Sequence, residues 1–200
     1  PVFLLAPGVS STRVEGDAAR LSDVTGTFQE LARRLGKTQH WAYISLEEGL
    51  HVSFPGHGGY PEGYDPRTRA WYRAATEEVE WTLPMVDATS GQVVMTASKQ
   101  FRRSDGSVAG VAAIDVLITD LLQIEELAGI WTSAMRSFLV MPAVNPQTQH
   151  SDLLIVVQKG YQDVADSWEK PIRTEWLTSE DSGALSQLLQ EVESGRSGYV

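Results

Sequence analysis

Three β-rich runs follow one another with almost nothing between them. Trp81–Asp87, Gln92–Phe101 and Ser107–Ile118 are separated only by turns built on Ser90-Gly91 and Asp105-Gly106. Links that short cannot carry a chain back to begin a parallel strand, so the runs must pair antiparallel. A second pair lies upstream, Trp41–Leu46 and Leu50–Phe54, joined by Glu47-Glu48-Gly49. The pattern predicts a five-stranded antiparallel sheet, and helices to cover it. Over residues 11–35, Val14, Ala18, Leu21, Val24, Phe28, Leu31 and Leu35 recur at spacings of three and four, which puts them on one helix face. Gly16 and Gly26 interrupt that helix, and Gly36-Lys37 ends it. The glycine- and proline-rich stretch from Pro55 to Gly63 is a loop. Asp65-Pro66 then reads as N-cap and first helical position of a helix over Arg67–Glu78. Thr119 caps another helix running through Leu127 and closed by Gly129.

The rest of the chain reads as a second module. Ser137–Met141 and Asp152–Lys159 are strands, linked by the polar stretch Asn145–Ser151. Ser179 caps a helix whose Leu185, Leu188, Leu189 and Val192 form one stripe. Gly195–Gly198 breaks it, and Gly198–Val200 opens a further strand. These strands are too few to close a sheet, so the second module reads as incomplete. The chain starts at Pro1 and reads as a fragment of a longer protein. The fold class is therefore α/β (α+β), with domains at 1–35 (helical segment), 36–128 (first module) and 129–200 (second, truncated module).

Charge narrows the function. With 16 Lys and Arg against 26 Asp and Glu, the net charge is −10. Such a chain has no surplus of cations to displace counterions from nucleic acid, or to bind an anionic membrane surface. It has no cysteine, which excludes disulfides, thiolate zinc sites and cysteine nucleophiles. The apolar runs Val2–Ala6, Val108–Ile114 and Leu153–Val157 fall far short of the roughly 20 residues that span a bilayer. No charged segment precedes the first run, so it is not a signal peptide.

Catalytic and metal motifs are absent. His57-Gly58-Gly59 has the look of an esterase oxyanion loop, but no G-x-S-x-G elbow accompanies it, and a solvated histidine in a glycine loop is the simpler reading. His40, His51, His57 and His150 lack metal-ligand spacing, and no phosphate-binding glycine loop occurs. Neither a metal nor a cofactor is expected.

What stands out is Tyr64-Asp65-Pro66-Arg67-Thr68-Arg69-Ala70-Trp71-Tyr72. A guanidinium fork takes a carboxylate, phenol and indole groups add donors, and aromatic faces wall a pocket. The same aromatics would equally suit a core face. Two acids join them. Asp87 ends one strand, and Asp115 interrupts the apolar run Ala113-Ile114-Asp115-Val116. A carboxylate there needs a partner, either a salt bridge or a backbone hydrogen bond within the scaffold, or the ammonium group of a ligand. An arginine at one end and aspartates at the other describe an α-amino acid or an amine. A hydrolase using Asp87 and Asp115 as a carboxylate pair, and an interaction module with a vestigial pocket, are the competing readings.

Taken in order, Tyr64–Tyr72, Trp81–Ala88, Ser90–Thr96 and Gly106–Asp115 resemble the double Cache (dCache) sensor domains of prokaryotic membrane receptors. The resemblance is good over residues 41–118, and the order of elements fits from 11 to 128. It implies two PAS-like modules on one long N-terminal helix, with the ligand in the membrane-distal module. It implies that Tyr64, Arg69, Trp71 and Tyr72 hold a ligand carboxylate, and that Asp87 and Asp115 hold its amino group. Met85 stands where the amino-acid-binding pattern has tyrosine, which removes one hydroxyl from the pocket wall. The resemblance further implies a non-enzymatic, extracytoplasmic sensor with a small-molecule ligand, a membrane-anchored parent protein and a homodimer through the N-terminal helix.

Overall fold

The computed structural model describes residues 1–122, 138–158, 160–164 and 167–196. Its main sheet has seven strands, all antiparallel: β1 (Val2–Leu5), β2 (Gln39–Leu46), β3 (Leu50–Phe54), β4 (Glu80–Trp81), β5 (Met85–Val86), β6 (Val93–Arg102) and β7 (Val108–Leu117). Their order is β1-β3-β2-β7-β6-β4, with β5 also on β6. The two turns expected between the last strands are present, with Gly91 and Gly106 at φ 69° and 83°, a conformation in which glycine carries no steric cost. Two strands more than expected arise at the edges. Val2–Leu5 pairs with β3, placing Val2 opposite Ser53 and Leu5 opposite Leu50. The run Trp81–Asp87 is two short strands, because Pro84 has no N–H to give the ladder. Between them Thr82 keeps contact with β6, its amide bonding the Thr96 carbonyl at 2.9 Å.

The single long helix expected over 11–35 is two: α1 (Ser11–Ser22) and α2 (Thr25–Leu35). The break falls at Asp23 and Val24, whose amides reach back three residues, to the carbonyls of Arg20 and Leu21, rather than four. The apolar face survives the break. Val14, Leu21 and Phe28 are buried against Ala42, Leu46, Leu50 and Val52, and Phe28 stacks on Phe54 at 5.9 Å. Leu35 is the exception and stands 37% exposed. The helix expected over Arg67–Glu78 shrinks to a 3-10 turn at Pro66–Thr68 and one helical turn, α3 (Ala70–Arg73). Arg69 between them is extended (ψ 152°), which stops one turn from continuing into the next. The cap is as expected: Asp65 accepts the Arg67 amide at 3.0 Å. Helix α4 runs over Ile118–Leu122; the expected continuation to Leu127 and Gly129, and Ser137, lie outside the described residues.

A second antiparallel sheet, ordered β10-β9-β8, consists of β8 (Leu139–Val144), β9 (Ser151–Val157) and β10 (Glu175–Trp176). α5 (Tyr161–Val164) follows β9, and α6 (Ser182–Glu193) follows β10. The cap of α6 is Asp181, not Ser179: its Oδ1 accepts the amides of Gly183 and Ala184 at 2.9 and 3.0 Å. The end of the expected strand at Lys159 and the strand expected over Gly198–Val200 lie outside the described residues. The sheets share a core. Val93, Met95 and Ile118 of the first pack with Leu154–Val157 and Tyr161 of the second. No helix among the described residues is long and apolar enough to cross a membrane.

Candidate functional site

The period-2 alternation of the strands divides the main sheet into two unlike faces. Ala42, Ile44, Val52 and Ile114 point at α1 and α2. Tyr43, Ser45, His51, Ser53, Thr96, Ser98 and Asp115 occupy the other parity, and all are buried. Register brings them together: Tyr43 sits opposite Ser53, Ser45 opposite His51, and Thr96 and Trp41 flank Asp115 on either side. Over this polar face lie the loop 55–64 and the segment carrying Arg69 and Trp71. They border an open cavity; the space between its walls, open solvent included, is about 410 Å³.

Six of the seven residues singled out in the sequence line this cavity: Tyr64, Arg69, Trp71, Met85, Asp87 and Asp115. Tyr72 does not. It is buried beside Trp71, and its hydroxyl turns away to donate to Glu47 Oε1 at 2.7 Å. Neighbouring residues on a helical turn point in different directions, so Trp71 and Tyr72 could not both face the cavity.

Asp115 is 4% exposed and has no cationic partner among the described residues. The scaffold salt bridge is thus not formed. Tyr43 and Thr96 donate their hydroxyls to it at 2.7 and 2.5 Å, both to Oδ1. Oδ2 receives no hydrogen bond from the described residues. Burial raises the Asp115 carboxyl to about 7. The two hydroxyls oppose that rise, and the negative charge of Asp87 adds to it. Asp87 is held differently. Burial pushes it up too, but donors win and keep it below the usual carboxylate range. The amide and hydroxyl of Ser90 each reach its Oδ1 at 2.7 Å, the Thr89 hydroxyl at 2.8 Å and the Trp41 indole N–H at 3.3 Å. Here as well Oδ2 is left over. Each aspartate therefore has one oxygen anchored by the scaffold and one that receives no hydrogen bond from the described residues.

A third wall was not legible in the sequence. Ser45 Oγ lies 2.6 Å from His51 Nδ1, His51 Nε2 lies 3.1 Å from the Tyr60 hydroxyl, and that hydroxyl lies 3.1 Å from His57 Nε2. His57, read as solvated, is half-buried, with its ring 3.9 Å from that of Trp41. Burial drives His51 down to about 3, so this chain is neutral at its centre, and Tyr60 is pushed up to about 12 for the same reason. Ser45 is fully buried, out of reach of any substrate. The alternation Trp41, Tyr43, Ser45 against His51, Ser53 was the available signal. It marks a strand pair with a polar inner face.

Met85 sits opposite Val94 on β6 and lines the cavity. A Met85→Tyr variant is expected to fold with an unchanged melting temperature and a changed ligand preference, because Met85 is only partly buried and lines the cavity. Were Met85 core, the larger side chain would cost about 1–3 kcal/mol of stability and leave preference alone. Melting curves and ligand titrations of the two proteins separate these outcomes.

Residues 27–123 match the family described as methyl-accepting chemotaxis protein-like, first PDC sensor domain. That part of the chain is similar to sensor domains of the Cache/PDC type. Among curated proteins, the chemotaxis protein McpB of Bacillus subtilis is 36% identical over 100 residues, which cover 44% of this chain and 14% of McpB. Adenylate cyclase 1 of Rhizobium meliloti is 39% identical over 92 residues, 45% of this chain and 13% of the cyclase. The chain thus spans only a small part of these relatives. Among solved structures, the ligand-binding domain of the Pseudomonas aeruginosa amino acid chemoreceptor PctB, in complex with L-Gln, superposes with a TM-score of 0.52. It is 22% identical, and the match covers 72% of this chain and 56% of that one, which establishes the shared fold.

Proposed function

We propose that the chain is the double Cache sensor region of a transmembrane receptor, divided near residue 128, and that its first module binds a small extracytoplasmic solute carrying an ammonium group and a carboxylate. The observation that carries this reading is the charge layout of the cavity. Arg69 supplies a cation, while Asp87 and Asp115 each supply an unused oxygen. An α-amino acid is the smallest common solute that satisfies both signs at once. Trp41, Trp71 and Tyr64 wall the space between. The likeness to chemoreceptor sensor domains supports the same reading, and with it a membrane-anchored parent, a non-enzymatic role for this region, and pairing of two chains through the N-terminal helices. The match to a cyclase as well as to chemotaxis receptors fits one sensor design placed before different outputs.

A simple amine is the second reading. It is favoured by Met85, which puts an apolar side chain on the cavity wall where the amino-acid-binding pattern has a hydroxyl. A thermal-shift panel decides. It comprises the twenty standard amino acids, their decarboxylated amines, quaternary amines and small carboxylates. A ligand at about 100 times its Kd adds about 2.7 kcal/mol of stability. For a chain of this size that raises the melting temperature by about 5–10 °C. Shifts by amino acids alone support the first reading, and shifts by amines alone the second. A flat panel would leave the pocket vestigial.

A further inference from the structure

One residue of the cavity wall, Arg69, is held by a residue of the second module. Trp168 lies in the segment between α5 and β10. Its carbonyl accepts a hydrogen bond from Arg69 Nη2 at 2.9 Å, across 99 positions of sequence. Its ring lies 4.6 Å from the Arg69 guanidinium carbon, and the Tyr64 ring lies 5.9 Å from that carbon. The Tyr64 and Trp168 rings are themselves 6.0 Å apart. The guanidinium is therefore held by two aromatic rings and one carbonyl, with no ion pair among the described residues. Only one of its N–H groups is used by Trp168, so the rest of the planar fork stays available at the cavity wall. An arginine at a loop-to-helix junction would otherwise spread over many rotamers, and fixing one costs entropy when the ligand arrives. α5, upstream of Trp168, is joined to the first sheet: Gln162 Oε1 accepts the Val93 amide at 2.9 Å, and Tyr161 lies in the core shared by the two sheets.

We infer that Trp168 is a positioning residue of the ligand site: it holds the Arg69 guanidinium in the orientation that takes a ligand carboxylate. Affinity for carboxylate-bearing ligands then depends on a residue of the second module, and occupancy of the first module is felt by the second. This rests on the reading of the cavity as a site for an ammonium group and a carboxylate.

The test titrates wild type, Trp168→Ala, Trp168→Phe, Arg69→Ala and the Arg69→Ala/Trp168→Ala double variant of this chain with the twenty L-amino acids and their decarboxylated amines. Losing a partly buried cation–π contact predicts that Trp168→Ala weakens amino acids about three- to thirty-fold and leaves the matching amines within about twofold. Trp168→Phe, which keeps an aromatic face, recovers most of the loss. In the Arg69→Ala background, removing Trp168 has no further effect. Equal weakening of amino acids and amines would overturn the inference, since a merely structural tryptophan does not distinguish them. Tighter amino-acid binding by Trp168→Ala would overturn it too, showing that the ring competes with the ligand for Arg69. If Arg69→Ala binds amino acids as wild type does, the assignment of the carboxylate to Arg69 fails, whatever Trp168 does.

Discussion

An Asp115→Asn variant is expected to lose binding of every ligand that presents an ammonium group, while its empty form melts at the same temperature as wild type at pH 8, or higher. Asparagine keeps the volume of the side chain and an acceptor for Tyr43 and Thr96, and removes only the charge. The lost charge-assisted contact costs about 2–5 kcal/mol of binding, or about 30- to 5,000-fold in Kd. The stability expectation follows from the pKa. Asp115 titrates near 7 in the folded protein against an ordinary 3.8. Its protonated form is thus the one the empty fold prefers. That preference favours the fold fully below about pH 4 and is lost as pH rises toward 7, and it is worth about 4 kcal/mol in all. Asparagine is neutral throughout and does not suffer the loss. Thermal melts of both proteins from pH 5 to 8, with ligand affinities at pH 8, test this. A variant that melts far lower yet binds normally would make Asp115 part of the scaffold.

The same carboxyl makes binding depend on pH. A ligand ammonium needs the ionised form, and below about pH 7 the empty site holds a proton instead. Binding there must expel it, so Kd is expected to fall about tenfold per pH unit between pH 5 and 7 and to level off above. Asp87 contributes nothing to this slope, because its donors keep it ionised across the window. His51 contributes nothing either, since burial holds it neutral. Calorimetric titrations in buffers of different ionisation enthalpy count the proton directly. About one should be released per ligand at pH 6 and almost none at pH 8. The Asp115→Asn variant isolates the source, because any pH dependence it retains belongs to other groups. A wild-type affinity flat from pH 5 to 8 would show that the ligand does not engage Asp115 as an anion.

Much of the fold was legible from local chemistry. Turn glycines at 91 and 106, strands too closely spaced for crossovers, and one apolar stripe from Val14 to Leu31 each reflect neighbours along the chain. Misjudged boundaries had local causes as well. Pro84 split a strand that propensity made continuous, and an extended Arg69 split a helix whose cap was correctly placed. The edge strand Val2–Leu5 had no such signal, because its partner β3 lies some 48 residues on.

For the site, residue types and their place in the apolar pattern determined by themselves that a cation, aromatics and two acids exist, and that Asp115 needed a partner. They could not say where Tyr72 points, which depends on how a single helical turn is seated against Glu47. Nor could they show that His51, Tyr60 and His57 join in one chain, since the loop bringing His57 over Trp41 has no period to read. Trp168 was the least legible of all. Its contact with Arg69 exists only because two sheets share a core, and packing between distant segments leaves no pattern in either segment alone. Sequence encodes what a residue can bind; tertiary structure decided which of those capacities converge on one cavity.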